Sequence, residues 1–164
     1  MSQTTTEHKY AEVTNGIFIG SYLAAVGVVV KQLDVGLVVK CETETARIVR
    51  GVKTILVEIE DDKYERSMYS WLVTQITPAV DAIHKFVLEN PPSRGNILVH
   101  CYAGRNRSAF VIGYYLRQCG HSYEHVIELL TAANKHRGVT AIDNSTFLTI
   151  LKEYNNDDNI VATQ

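Results

Sequence analysis

A cysteine and an arginine six positions apart have the types and the spacing for chemistry on a phosphate ester. Cys101 and Arg107 lie in the segment HCYAGRNRS, which follows a short apolar run. A thiolate is a strong nucleophile, and a loop that leads into a helix can point its N–H groups at an anion while the helix dipole adds to the attraction. The planar guanidinium of an arginine binds two phosphate oxygens at once. This pair predicts a nucleophile beside a holder for a tetrahedral oxyanion, and the alternative is an inert buried cysteine.

The other residues of this segment have types that fit the same chemistry. Gly104 permits the tight backbone turn that such a loop needs. His100 is expected to hydrogen-bond the loop and to tune the thiol. We predict that the substrate phosphate is bound by the loop residues Tyr102, Ala103, Gly104, Arg105, Asn106 and Arg107.

A strand and a helix must position this loop. Residues 96–100 (NILVH) form a short apolar run that predicts a buried strand, and residues 108–116 (SAFVIGYYL) are apolar on nearly every side, which predicts a buried helix. Runs rich in β-branched residues at 37–41 and 54–59 predict two more strands. Asn15 and Gly16 between apolar runs predict a β-hairpin.

Helical segments separate the predicted strands. The apolar spacing over 67–90 predicts a helix with a break near Pro78, and a shorter helix follows Ser21 and is closed by residues 34–36. Further helices are expected after Ser122 and over 144–154. Strands that alternate with helices predict an α/β fold with a mostly parallel sheet.

Length and composition limit the classes of function. The 164 residues predict one domain, 1–164, with flexible ends at 1–8 and 155–164, and 46% hydrophobic residues suffice for a core. The net charge of −2 provides no basic field for nucleic acid, and no apolar run is long enough to span a bilayer. Three cysteines and the absence of a leader pattern favour a reducing, cytoplasmic location.

The segment HCYAGRNRS resembles the signature His-Cys-x5-Arg-Ser/Thr of the cysteine-dependent phosphatases, and the size resembles the compact dual-specificity branch. The stretch NGIFIGSYLAA resembles the opening hairpin of that family, IEDD resembles its general-acid loop, and DNSTF resembles its Pro-Asn-x-x-Phe pattern. The resemblance implies a central, mostly parallel twisted sheet with helices on both faces, and a reaction that needs no cofactor and no metal.

The resemblance also implies a role for each matching residue. Cys101 attacks phosphorus and forms a cysteinyl-phosphate, while Arg107 and the loop amides hold the oxygens. Ser108 donates its hydroxyl to the sulfur and helps it leave. Asp61 is aligned with the general acid, and Asp62 is the alternative.

Two residues outside the segment carry further expectations from the resemblance. Asn144 resembles the asparagine that supports the loop, although Asp143 stands where the family pattern has proline. Cys41 resembles a resolving cysteine, which implies a reversible disulfide with Cys101.

The leading functional hypothesis is hydrolysis of phosphotyrosine and of phosphoserine or phosphothreonine in proteins. The alternatives are a phosphoinositide or RNA 5′-phosphate phosphatase with the same loop, and a catalytically dead phosphate-binding module. Arg105, as an additional cation at the rim, favours a multiply phosphorylated substrate, whereas the net charge weakens the RNA alternative. The expected partner is a phosphorylated protein, and the oligomeric state is left open.

Overall fold

The computed structural model describes residues 8–90 and 95–155. Within these ranges the chain forms a five-stranded sheet with the spatial order β1-β2-β5-β3-β4. The edge strand β1 is antiparallel to β2, and the other neighbouring pairs are parallel. The strands are β1 Tyr10–Thr14, β2 Ile17–Gly20, β3 Val35–Lys40, β4 Lys53–Leu56 and β5 Asn96–His100.

Helices cover both faces of the sheet. The helices are α1 Gly27–Gln32, α2 Tyr69–Glu89, α3 Arg107–Gln118, α4 Tyr123–Arg137 and α5 Ser145–Glu153, with 3-10 turns at Tyr22–Ala24 and Arg66–Met68. Because side chains alternate along a strand, Val38 packs with α1 on one face, whereas Leu37 and Val39 belong to the larger core with α2 to α5 on the other. The predicted α/β fold is confirmed.

The hairpin at the start of the chain forms as predicted. Asn15 and Gly16 have φ values of +41° and +79°. Thr14 pairs with Ile17 across them. Two positive φ angles define the primed turn that matches the twist of a hairpin, which explains the Asn-Gly pair. The hairpin places the end of β2 beside the end of β5. The loop of residues 101–107, called the signature loop below, begins there.

Helix α2 runs through Pro78 without a break, so the break predicted there is wrong. Proline lacks the N–H that would bond to the carbonyl of Thr74, one turn earlier. Both Thr74 and Pro78 lie on the exposed side of the helix, where water can satisfy that carbonyl. Apolar residues on the opposite side, Leu72, Ile76, Ala79, Val80 and Ile83, are buried and hold the helix together.

Several predicted boundaries shift. The helix after Ser21 is a 3-10 turn followed by α1, and β3 begins at Val35, inside the segment expected to close that helix. Strand β4 ends at Leu56 and not at residue 59. The apolar residues after the end of this strand, Val57 and Ile59, are nevertheless buried in the core.

Some predictions fall on residues outside the described ranges. The ends predicted to be flexible lie there except for His8 and Asn155. His8 donates its backbone N–H to the carbonyl of Arg137 at 3.2 Å. In the part of the chain that is described, no helix has the length and apolarity to cross a membrane.

Candidate active site

Cys101 lies directly after the central strand β5, and the following loop leads into α3 at Arg107. The Cys101 sulfur accepts a hydrogen bond from the backbone N–H of Gly104 at 3.2 Å and lies 3.2 Å from the hydroxyl of Ser108. The thiol is 2% exposed, at the floor of the loop. The sulfur therefore faces an amide and a hydroxyl at the point where the loop leads into α3.

The carbonyl groups of this loop are held on the side away from the sulfur. Arg137, in the last turn of α4, donates from Nη1 to the Gly104 oxygen at 2.6 Å and from Nη2 to the Ala103 oxygen at 3.1 Å. The side-chain amide of Asn134 donates to the same Gly104 oxygen at 3.2 Å. Since these carbonyls bond to α4, the Gly104 N–H is left to face the sulfur.

Sequence reasoning missed Arg137 and Asn134. Arg137 is 0% exposed, and it also bonds to the Asn134 side chain at 2.9 Å and to the His8 carbonyl at 3.2 Å. The available signal was helical periodicity, because Arg137 lies one turn beyond Ala133 on the inner face of α4. A charged residue in register with an apolar face indicates a buried polar contact.

Gly104 meets the requirement predicted for it. Its φ is +69°, in the region that glycine adopts without strain. A Cβ at this position would lie 2.6 Å from the backbone oxygen of Gly20 and 2.6 Å from Nη1 of Arg137. The loop therefore packs backbone against backbone on the end of β2.

The guanidinium of Arg107 is buried beside the same loop. Nη2 donates to the carboxylate of Glu44 at 2.7 Å, and Nη1 donates to the carbonyl of Ile59 at 3.4 Å. Burial opposes the charge, but the Glu44 bond and the neighbouring Cys101 raise the pKa of Arg107 above its ordinary value, so the guanidinium stays charged. Glu44 is a third residue that sequence reasoning missed, since it lies 63 positions from its partner.

Asp61 reaches the loop through two side-chain amides. One carboxylate oxygen accepts a bond from Asn144 at 2.8 Å, and the other accepts one from Asn106 at 3.0 Å. Asp62 contacts Asn144 through its backbone oxygen at 2.8 Å. The structure therefore joins the carboxylate of Asp61, and only the backbone of Asp62, to these two amides.

The segment that carries Asp61 is tied to the start of α5. The hydroxyl of Tyr64 bonds to both the carbonyl and the N–H of Glu60, at 3.0 and 3.1 Å, and closes a small ring of backbone. Thr146 accepts the Tyr64 N–H at 2.9 Å. Asn144 caps α5 by accepting the N–H of Phe147 at 3.1 Å, so one residue both starts the helix and holds the carboxylate of Asp61.

Asn144 also contacts the loop. Its backbone N–H donates to the side-chain oxygen of Asn106 at 3.0 Å. Asn106 was predicted to bind the substrate phosphate, but its side chain is buried and turned toward Asp61, Asp143 and Asn144. Because these contacts engage its whole amide group, only its backbone is left for the predicted binding.

The mouth of the site is formed by Tyr102 and Arg105. Tyr102 is 46% exposed and stacks on Tyr22, with ring centroids 4.7 Å apart. Arg47 lies over Tyr22 at 5.7 Å from its ring centroid. Arg105 pairs with the carboxylate of Asp143, so the rim cation predicted from sequence already has an anionic partner.

His100 is buried beneath the loop, and its ring faces the backbone of Cys101. Burial, followed by the positive charge of Lys40, lowers the pKa of His100 to about 4. His100 is therefore a neutral ring that packs beneath the loop. Lys40 itself is buried and paired with Glu42.

Cys41 follows β3 and lies beside Cys101, as predicted. The parallel pairing of β3 and β5 ends at Lys40 and His100, and the Cys41 N–H donates to the His100 carbonyl at 2.7 Å. Both cysteines are free thiols. Burial, and then the nearby Cys101, raises the pKa of Cys41 well above its ordinary value. Over residues 8–90 and 95–155 no cluster of three or more His, Cys, Asp or Glu side chains could hold a metal.

The family model described as dual specificity phosphatase, catalytic domain, matches residues 17–157. The chain belongs to the dual-specificity phosphatase family. The matched residues include the signature loop, the segment with Asp61 and the start of α5. The protein is therefore a phosphatase, a hydrolase of that family.

Solved structures agree with this membership. A mouse dual-specificity phosphatase complexed with zinc tungstate is 27% identical, with a TM-score of 0.76, and the match covers 99% of this chain and 95% of that chain. Human DUSP28 is 25% identical with a TM-score of 0.76, over 93% and 96% of the two chains. PTPMT1 in complex with PI(5)P shares the fold, at 20% identity and a TM-score of 0.67, over 94% and 99%. A comparison with curated proteins found no match to this sequence.

Proposed function

We propose that the protein hydrolyses phosphotyrosine and phosphoserine or phosphothreonine side chains of proteins through a cysteinyl-phosphate intermediate. The observation that carries the proposal is the Cys101 sulfur, which lies 3.2 Å from both the Gly104 N–H and the Ser108 hydroxyl in a loop that ends at Arg107. The mouse relative is complexed with zinc tungstate, and tungstate is a tetrahedral oxyanion like phosphate.

The first step transfers the phosphoryl group to sulfur. The Cys101 thiolate attacks phosphorus in line, so an S–P bond forms while the P–O bond to the substrate breaks. The loop amides and Arg107 hold the three equatorial oxygens, which carry the developing charge. Asp61 gives its proton to the departing oxygen.

The second step releases phosphate. Asp61, now a carboxylate, takes a proton from water as the water oxygen attacks phosphorus and the S–P bond breaks. The Ser108 hydroxyl, 3.2 Å from the sulfur, donates a hydrogen bond to the thiolate as it leaves. Cys101 returns to its starting state, and neither step requires a metal or a cofactor.

The rim supports protein side chains as substrates. Tyr102 is half exposed and Arg105 is paired with Asp143, so the mouth is open and contains no unpaired arginine of the signature loop. A phosphoinositide with several phosphates would need such a cation, and RNA would need a basic track, which a net charge of −2 does not favour. A binding module would need neither the thiol nor the nearby carboxylate.

The test is a substrate panel for the purified chain. We expect release of phosphate from a phosphotyrosine peptide and from a phosphothreonine peptide, and no release by Cys101→Ser. Acid quenching during turnover should trap phosphate on Cys101. Release from an inositol phospholipid alone would overturn the protein substrate while leaving the chemistry intact, and binding without turnover would overturn the enzymatic function.

We also propose that Cys41 protects the nucleophile in a reducing, cytoplasmic location. Peroxide converts the Cys101 thiolate to a sulfenic acid, and the Cys41 thiol condenses with it to form a disulfide and water. The backbone bond that joins Cys41 to His100 supports this pairing. Peptide mapping after peroxide treatment should recover a 41–101 linkage, and Cys41→Ser should accumulate irreversibly oxidised Cys101 instead.

A further inference from the structure

Asp143 contacts two consecutive residues of the signature loop. Its carboxylate pairs with the guanidinium of Arg105, and its other oxygen accepts a bond from the Asn106 side chain at 3.1 Å. Its backbone N–H donates to the Asn106 side-chain oxygen at 2.9 Å. One residue thus holds both the outward-facing cation of the loop and the buried amide beside it.

These contacts require an aspartate at position 143. The pattern that DNSTF resembles has proline there, and a proline has no N–H to give to Asn106 and no carboxylate to give to Arg105. The pair lies at the mouth, where Asp143 is 52% and Arg105 is 38% exposed.

Arg105 and Arg107 are the two arginines of the signature loop, and their positions differ. Arg107 is buried beside the nucleophile, whereas Arg105 lies at the rim. A free guanidinium at the rim would bind a second phosphate on the substrate with two hydrogen bonds. The bond from Asn106, and the pairing with Arg105, lower the pKa of Asp143 below its ordinary value, so the carboxylate stays charged and the pair stays formed.

We propose that Asp143 is a specificity-determining residue that restricts this phosphatase to protein side chains with no second phosphate nearby. By pairing with Arg105, it removes the cation that a doubly phosphorylated substrate would use. This inference rests on the proposed function and adds the class of phosphoprotein that the site accepts.

The test compares two peptides of the same sequence, one with a single phosphotyrosine and one with an additional phosphothreonine two residues before it. In Asp143→Asn the side chain keeps its size, the backbone N–H and an oxygen for Asn106, and loses the charge. We expect the ratio of kcat/KM for the doubly over the singly phosphorylated peptide to rise by about fivefold to tenfold, as expected for one charge-assisted contact that is partly screened by solvent. The rate on the singly phosphorylated peptide should change less than about twofold, since the reacting groups are untouched.

Arg105→Met is the matched control. If Asp143 acts through Arg105, then adding Asp143→Asn to Arg105→Met should change the ratio by less than about twofold, because coupled residues are not additive. An equal gain in the presence and absence of Arg105 would overturn the proposed pairing. Asp143→Ser, which also keeps the N–H, replaces Asp143→Asn should that variant fail to fold, and melting curves check each protein.

The failure of this inference is distinguishable from the failure of the proposed function. The same ratio is measured as a ratio of Kd values with Cys101→Ser and Cys101→Ser/Asp143→Asn, where no turnover is needed. An unchanged ratio in both kcat/KM and Kd overturns the role of Asp143. A ratio that shifts in Kd, with no hydrolysis by the wild type, overturns the enzymatic function and supports the role of Asp143 in recognition.

Discussion

The two loops that carry the proposed reacting groups are held in different ways. The signature loop, residues 101–107, is fixed through its backbone by the buried Arg137 and by contact with Gly20. The acid loop, residues 58–64, lies largely at the surface and is fixed through side chains, above all the amides of Asn106 and Asn144 on Asp61. The proposed nucleophile therefore depends on buried backbone contacts, and the proposed acid on a few part-buried side-chain contacts.

This difference separates the effects of mutations into two classes. Changes under the signature loop should affect folding, and they should lower the rate of hydrolysis of every phosphorylated substrate alike. The reason is that they displace the loop that is proposed to bind the phosphate. Changes around the acid loop should leave the fold intact and should matter most for substrates whose leaving group needs a proton. Four substitutions test this contrast.

Arg137→Met should have the largest effect. It removes the buried donor of the Ala103 carbonyl and one of the two donors of the Gly104 carbonyl, which should lower the free energy of unfolding by about 3 kcal/mol or more. Displacement of the loop should lower kcat/KM by about 10²-fold or more. Urea unfolding and phosphopeptide kinetics measure the two effects. A folded variant with wild-type kcat/KM would contradict the support role, and Arg137→Lys should recover part of both losses.

Asp61→Asn should lower kcat by about 10²-fold, the usual contribution of a general acid, without loss of stability. The loss should be much smaller on an aryl phosphate whose leaving group departs without protonation. Asp62→Asn is the matched control, and its kcat should stay within about threefold of wild type. A larger loss in Asp62→Asn than in Asp61→Asn would assign the acid to the other carboxyl.

The buried ring of His100 should make stability depend on pH. The folded-state pKa of about 4 lies below the ordinary value of about 6.5. Between these values the unfolded chain takes up a proton that the folded chain does not. The free energy of unfolding should therefore decrease as the pH is lowered, by about 2 kcal/mol from pH 6.5 to 5. Urea unfolding should show this slope in wild type. An undiminished slope in His100→Asn would show that other groups cause it.

Asn106→Ala should have the smallest effect, a loss in kcat of about tenfold, because Asp61 then retains the Asn144 contact. A double-mutant cycle identifies the route, since a positioning residue that acts through Asp61 should add less than about twofold to the loss in Asp61→Asn. Additive losses would indicate that Asn106 supports the signature loop and not the acid.

Features that depend on neighbours in sequence were predictable. The hairpin turn at Asn15 and Gly16, the bounds of β5 and the start of α3 follow from local patterns that the structure confirms. The segment from Cys101 to Ser108 is equally local, because a strand, a loop and a helix N-terminus build the cradle together. The catalytic roles of these residues, and that of Asp61, stay predictions.

Features that depend on tertiary packing were not predictable. Glu44 pairs with Arg107 across 63 positions, and no pattern in the sequence joins them. Pro78 predicted a break because a proline destabilises the helix that contains it, whatever lies around that helix. The burial of the apolar face of α2 compensates for this loss, and that burial depends on the packing of the core. The near-complete burial of His100, which keeps its ring neutral, depends on the packing of the sheet and could not be read from its neighbours in sequence.

The close approach of Gly104 to Gly20 bears on how this enzyme can diversify. A single added methyl group at position 104 would collide with the neighbouring main chain. Substitutions of Gly104 should therefore be lost in a selection for activity on any substrate. Tyr102 is 46% exposed and the Arg105 side chain is 38% exposed, so changes there need not move the main chain. Laboratory evolution of new substrate preferences should therefore accumulate changes at these two outer positions and at residue 143, while the glycine stays invariant in every surviving clone.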